Sequence, residues 1–216
     1  MIDVLKKKGY LAALFDMDGT VMDTTGADFQ AWNLVLKKYG SGLTYPEYVK
    51  QLGVKSETLI HELVDISSEE ADKALKKKAD YFKEIIEVQG LKAIDNVEAC
   101  LEKLQEKGFK IALATAARFD KLEEVFSRVK LQHYFETIVT ANEVSHGKPH
   151  PEIFLKAAQK LKISPDKCIV FEDAENGVKA AKNAGMFCIA ITSTTLEMHL
   201  QKADLIVHNY KELLNE

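Results

Sequence analysis

Asp16 and Asp18 stand two residues apart just beyond the apolar run 11–15, in the segment Phe15-Asp16-Met17-Asp18-Gly19-Thr20. Two like charges beside a buried run are costly unless a cation offsets them. Mg²⁺, which takes carboxylate, carbonyl and water oxygens, suits such a pair. Taken alone, a strand ending in a turn at Asp-Gly would be the better reading. Three later features alter the balance. Glu172 and Asp173 follow the apolar run 168–171, Lys148 sits in the loop His146-Gly147-Lys148-Pro149-His150, and Thr115 closes the run 109–115 ahead of Ala116, Ala117 and Arg118. Singly these read as a helix N-cap with a favourable dipole, a surface lysine and another N-cap. Together they offer carboxylates, a hydroxyl with free backbone N–H groups and an ammonium. Those are the parts that phosphoryl transfer requires: a nucleophile, an acid/base opposite the leaving group, and cations and donors around the equatorial oxygens.

The elements that would bring these groups together follow from hydropathy. The runs 11–15, 109–115, 137–140, 168–171, 186–191 and 204–207 are short, rich in β-branched residues and bounded by Gly, Pro or acidic residues, as buried strands are. Between them lie helical stripes, Ile94, Val97, Leu101 and Leu104 ending at Gly108, and Phe154, Ala157, Ala158 and Leu161 begun by Pro149 and Pro151. Strands alternating with helices build a parallel sheet. From about residue 24 to 90 no strand is expected. There Phe29, Trp32, Leu36 and Tyr39 share one helical face, and Leu75, Ala79, Phe82 and Ile86 another. The expected organisation is an α/β core of residues 1–23 and 91–216, a Rossmann-like parallel sheet, with an inserted helical domain at 24–90. Lys76-Lys77-Lys78 is expected on a solvated face of the second helix.

Composition narrows the function. The chain has 216 residues, 29 Lys plus Arg against 33 Asp plus Glu, and a net charge of −4, so it lacks the basic excess of a nucleic-acid or anionic-membrane binder. Its three cysteines show no CxxC spacing and are expected as core residues. Neither a signal h-region nor a membrane-spanning run is found, and a cytoplasmic monomer is the expectation. His146 and His150 are four apart, but Pro149 and Pro151 would break any helix aligning them, so no zinc pair is expected.

Over nearly its whole length the sequence resembles the haloacid dehalogenase superfamily, in the order Asp16-Met-Asp18-Gly-Thr20, Thr115, Lys148, Glu172-Asp173. The stretches Gly147-Lys-Pro-His-Pro-Glu-Ile-Phe154 and Phe171-Glu-Asp-Ala-Glu-Asn-Gly177 resemble its β-phosphoglucomutase-like phosphatase branch. The resemblance implies that the 24–90 insertion is a cap and that Asp16 attacks phosphorus to form an aspartyl-phosphate. It implies that Asp18 protonates the leaving alkoxide and then deprotonates water. It also implies Mg²⁺ held by Asp16, the Asp18 backbone carbonyl and Asp173, with Glu172 in direct or indirect support. Thr115 and the Ala116 N–H would bind phosphoryl oxygens, and Lys148 would offset their charge. Because Asp18 occupies the second acidic position, the resemblance implies phosphate-ester rather than carbon–halogen chemistry.

Departures from the mutases of that branch favour hydrolysis of small phosphate monoesters, sugar phosphates foremost, with a phosphohexomutase as the alternative. Asp28 stands where those mutases carry a cap histidine, and Ser56 where they carry a base, with Lys55 one step early. Arg118 and Lys55 are expected to contact a substrate anion, and Gly53, Val54 and Lys55 are either a specificity loop or a plain helix connector. The intact Asp16, Asp18 and Lys148 set argues against a non-catalytic binding protein.

Overall fold

The structure is a computed structural model that describes residues 1–214. The elements run α1 (Ile2–Lys7), β1 (Ala12–Phe15), α2 (Thr25–Leu36), α3 (Tyr45–Lys50), α4 (Ser56–Leu63), α5 (Ser68–Gln89), α6 (Val97–Glu106) and β2 (Lys110–Ala114). They continue with α7 (Phe119–Arg128), β3 (Thr137–Val139), α8 (Glu152–Leu161), β4 (Cys168–Glu172), α9 (Glu175–Asn183), β5 (Phe187–Ile191), β6 (Leu205–Val207) and α10 (Lys211–Leu214). Every strand expected from hydropathy is present, each within a residue of its expected limits.

The six strands form one all-parallel sheet in the order β3-β2-β1-β4-β5-β6. A parallel sheet is covered on both faces, and the strand period of two divides the side chains between them. Ala13, Phe15, Ile111, Leu113, Ile169 and Phe171 pack with α1, α6, α7 and α10 on one face. Ala12, Leu14, Ala112, Ala114, Cys168 and Val170 pack with α8 and α9 on the other. All three cysteines are buried and free.

The chain enters the sheet at β1, builds outward through β2 and β3, and then returns to the far side of β1 to build β4, β5 and β6. Strand order therefore reverses between β1 and β4. At such a reversal the loops leaving two adjacent strands diverge and open a crevice at their carboxyl ends.

Helices α2–α5 form an insertion after β1 with an apolar cluster of its own, built around Trp32, Leu36, Tyr48, Leu59, Ile60 and Leu75, which Ala174 of the sheet domain joins. A capping box at Thr44 and Glu47 begins α3, and the Ser67 hydroxyl accepts the Glu70 amide at the start of α5. The two connections to the insertion run side by side: the Asp23 amide donates to the Lys92 carbonyl at 3.0 Å, and the Ile94 amide to the Val21 carbonyl at 2.9 Å. No described helix is long and apolar enough to cross a membrane.

Candidate active site

Residues 15 and 171 are register partners on β1 and β4, their rings stacked at 4.2 Å, and the Asp16 amide donates to the Phe171 carbonyl at 3.1 Å. This pairing places Asp16, Glu172 and Asp173 side by side at the crevice. Their carboxylates converge so that one oxygen of each lies within 4.8 Å of the others. All three are buried. Lys148 reaches the same point from the loop before α8, with its ammonium 2.5 Å from Asp16 Oδ1 and 2.5 Å from Glu172 Oε1.

Glycine lets the backbone come this close. Gly19 turns the chain at φ +81°, and a Cβ there would lie 2.1 Å from Asp173 Oδ2. On α9, a Cβ at Gly177 would lie 1.9 Å from the Glu172 carboxyl group. Glu172 Oε2 accepts the amides of Asp173 and Ala174, and the Thr20 hydroxyl donates to Asp173 Oδ1.

The electrostatics are those of a site short of positive charge. Burial, reinforced by Glu172 and Asp18 and opposed by Lys148, pushes the Asp16 carboxyl up to about 7. Burial together with Glu172 and Asp16 drives Asp173 well above the usual carboxylate range. Desolvation pulls the other way on the Lys148 ammonium, but Asp16 and Glu172 outweigh it and hold that group above the usual lysine range. Asp173 Oδ2 is buried without a hydrogen-bond partner. Three converging carboxylates, one oxygen of them orphaned, and a single shared ammonium fit a hard divalent cation with oxygen ligands.

The Asp18 carboxylate turns away from that cluster. Its Oδ1 accepts the Thr24 hydroxyl and pairs with Lys121 at 2.7 Å. Lys121, on α7, also meets Asp28 Oδ1 of α2 at 2.9 Å, and Asp28 is further held by Lys78 at 2.7 Å and by the Tyr48 hydroxyl at 2.9 Å. Burial works against ionisation of Asp28, yet Lys121 and Lys78 overcome it and hold the carboxyl far below its ordinary range. Lys78 is therefore buried, in contrast to the solvated face expected of Lys76-Lys77-Lys78. Its place on the inner face of α5 lets its charge meet Asp28. The sequence reading also passed over Lys121. It lies in the first turn of α7, close behind Arg118 at the helix start, and that nearness to a candidate anion-binding residue could have signalled it.

The remaining expected residues are placed as follows. Thr115 is fully buried at the end of β2, and its hydroxyl accepts the Ala117 amide at 3.0 Å rather than lining the cavity. Ala116, Ala117 and Arg118 do line it. The Arg118 guanidinium pairs with Glu57 of the insertion at 2.8 Å. The Lys55 ammonium donates to the Val144 carbonyl at 2.8 Å, and Lys55 is not on the cavity wall. The 53–55 segment is nonetheless more than a helix connector. Gly53 packs on the Lys148 side chain, a Cβ at Gly147 would lie 2.9 Å from the Lys55 amide nitrogen, and Asn176 Nδ2 donates to the Lys50 and Leu52 carbonyls. The prolines do keep His146 and His150 off a helix, but the loop still brings their rings to 4.5 Å, beside Glu152.

Between the sheet edge and the insertion lies a cavity of about 520 Å³, floored by Asp16, Asp18 and Lys148 and walled by Trp32, Val54, Leu59 and Phe82. Residues 13–191 match the family of haloacid dehalogenase-like hydrolases. The chain belongs to that family. It is 34% identical over 176 residues to a phosphorylated carbohydrates phosphatase of Thermotoga maritima, spanning 81% of this chain and 82% of the relative. It is 28% identical to a fructose-1-phosphate phosphatase of Escherichia coli, over 84% of this chain and 96% of the relative. The β-phosphoglucomutase of Clostridium difficile superposes with a TM-score of 0.85 at 26% identity, covering 94% of this chain and 93% of that one. This member of the family is a phosphohydrolase of the β-phosphoglucomutase-like branch, with a Rossmann-like parallel sheet.

Proposed function

We propose that the protein is a Mg²⁺-dependent phosphatase of small phosphate monoesters, sugar phosphates foremost, working through an aspartyl-phosphate on Asp16. The observation that carries this reading is the convergence of Asp16, Glu172, Asp173 and Lys148 at the floor of the cavity, which Asp18 shares. The phosphatases of phosphorylated carbohydrates among its relatives support the substrate class.

In this reading Asp16 Oδ attacks phosphorus in line, and the ester bond breaks on the opposite side. Asp18 donates its proton to the departing alkoxide, then takes a proton from the water that hydrolyses the acyl phosphate and frees Asp16. The Lys148 ammonium offsets the charge gathering between nucleophile and phosphoryl oxygens. Ala116 borders the phosphoryl site, where its main-chain N–H would bind a phosphoryl oxygen, and Thr115 fixes that turn by accepting the Ala117 amide. Arg118, on the cavity wall and paired there with Glu57, would meet a second polar group of the substrate by exchanging that partner. Asp16, Asp173, Glu172 and the Asp18 backbone carbonyl would hold Mg²⁺. When bound, the ion supplies Lewis-acid polarisation of the phosphoryl group and the positive charge that the carboxylates lack. Helices α2–α5, in the insertion 24–90, would act as a cap over the site, excluding water while the phosphoryl group is in transit.

Hydrolysis is favoured over isomerisation because Asp28, which stands where the mutases carry a cap histidine, is a carboxylate locked between Lys78, Lys121 and Tyr48, and because Lys55 is tied to the Val144 carbonyl rather than free to hold a second phosphate. The test is a panel of monoesters with Mg²⁺, followed by phosphorus NMR. Release of inorganic phosphate is expected. A phosphate moved to another carbon without release would establish the mutase instead.

A further inference from the structure

We infer that Lys121 is a positioning residue for Asp18 and that the helical insertion controls it through Asp28. The inference rests on the reading of Asp18 as the acid/base.

Lys121 and Asp18 belong to the sheet domain, and everything that fixes Lys121 from the other side belongs to α2–α5. Its ammonium sits between Asp18 Oδ1 at 2.7 Å and Asp28 Oδ1 at 2.9 Å. Asp28 is itself immobilised by Lys78 and Tyr48, at 2.7 and 2.9 Å. The two ammonium groups rest over aromatic faces of the insertion, Lys121 at 4.8 Å from Phe82 and Lys78 at 4.8 Å from Trp32. The side chains of this chain of charges are between 8% and 20% exposed.

Burying four charges is a poor way to gain stability, since desolvation consumes most of the Coulombic attraction. What the arrangement supplies is geometry. A free aspartate side chain turns about two torsions, and general acid catalysis needs its oxygen within hydrogen-bond reach of the leaving group. Thr24 and Lys121 both engage Oδ1 of Asp18, leaving Oδ2 to serve that group. If the insertion moves away, Asp28 leaves with it, and Lys121 loses the partner that keeps its ammonium against Asp18. Proton transfer then becomes efficient only after closure, when water has been excluded.

The test compares Lys121→Met, Lys121→Arg and Asp28→Asn on two esters: the alkyl monoester turned over fastest in the panel, and p-nitrophenyl phosphate. An alkoxide must be protonated as it leaves and nitrophenolate need not be, so only the first reports on Asp18. Lys121→Met is expected to lower kcat/KM for the alkyl ester about 30- to 100-fold and for the aryl ester less than about fivefold. Lys121→Arg should recover the alkyl rate to within about fivefold of the parent, and Asp28→Asn should cost about tenfold on the alkyl ester alone. Adding Asp28→Asn to Lys121→Met should cost little more, because the two act in series. Equal losses on both esters, or additive losses, would overturn the inference. If Lys121→Met does not fold, the Arg and Asn variants carry the same comparison. Asp18→Asn separates the premise from the inference: no ester-dependent split in that variant removes the acid/base reading itself, whereas a split there without one at Lys121 removes only the relay.

Discussion

Lys148 and Asp16, 132 residues apart in sequence, meet at 2.5 Å in the interior of the crevice, and the same ammonium stands 2.5 Å from Glu172. One cation thus serves two carboxylates, with Asp173 beside them. Replacing Lys148 by Ala should abolish detectable turnover and lower stability by about 3 kcal/mol, because breaking a buried pair strands its partners. Denaturant unfolding of the metal-free protein reads the second effect. An unchanged midpoint would show that the ammonium does not compensate the cluster.

The metal dependence of stability should change with pH in a defined direction. Burial raises Asp16 from 3.8 to about 7 and lifts Asp173 as well, so without metal the folded state binds protons that the unfolded chain releases. Stability of the metal-free protein should therefore be greatest below about pH 4 as far as these groups decide it, and fall as pH rises toward 7. Mg²⁺ competes with those protons, so its gain in melting temperature should be larger at pH 8 than at pH 5.5. A pH-independent gain in thermal scans would argue against binding at these carboxylates.

Gly177→Ala sets two effects against each other. Alanine is favoured over glycine in a helix by about 1 kcal/mol, while a Cβ at 1.9 Å from the Glu172 carboxyl must displace it, at a cost of about 1–3 kcal/mol. The clash should win: a lower melting temperature and at least a tenfold loss of kcat, as Glu172 is pushed toward Lys148. A stabilised, fully active variant would mean that the contact is slack.

Lys78→Met should destabilise the protein and Lys77→Met should not. Lys78 pairs with buried Asp28, whereas the Lys77 side chain is 43% exposed and only 3.4 Å from an exposed Asp80. Parallel thermal scans distinguish the two, and equal shifts would contradict the burial of Lys78.

Much of this was legible in the sequence. The parallel strands were short apolar runs whose type depends on burial on both faces, and the acidic residues just beyond 15 and 171 marked their carboxyl ends. Asp16 stood out because two carboxylates beside a buried run are costly, whereas Lys148 and Asp173, which singly read as a surface lysine and a helix N-cap, entered through the combination of motifs and the family resemblance. Local pattern could not show which way a long polar side chain turns. Lys78 reads as one of three equivalent lysines until α5 packs on α2, and Lys55 reads as a free base until its loop meets Val144. Asp28 was legible only as a departure, since its partners come from α3, α5 and α7.

The central claim is that Asp16 becomes phosphorylated. Rapid acid quench during turnover, followed by peptic digestion and mass spectrometry, tests it most directly. A phosphoryl adduct on the peptide containing Asp16, absent from Asp16→Asn, is the result expected. Steady phosphate release by Asp16→Asn at the parent rate, or an adduct confined to another residue, would contradict the account.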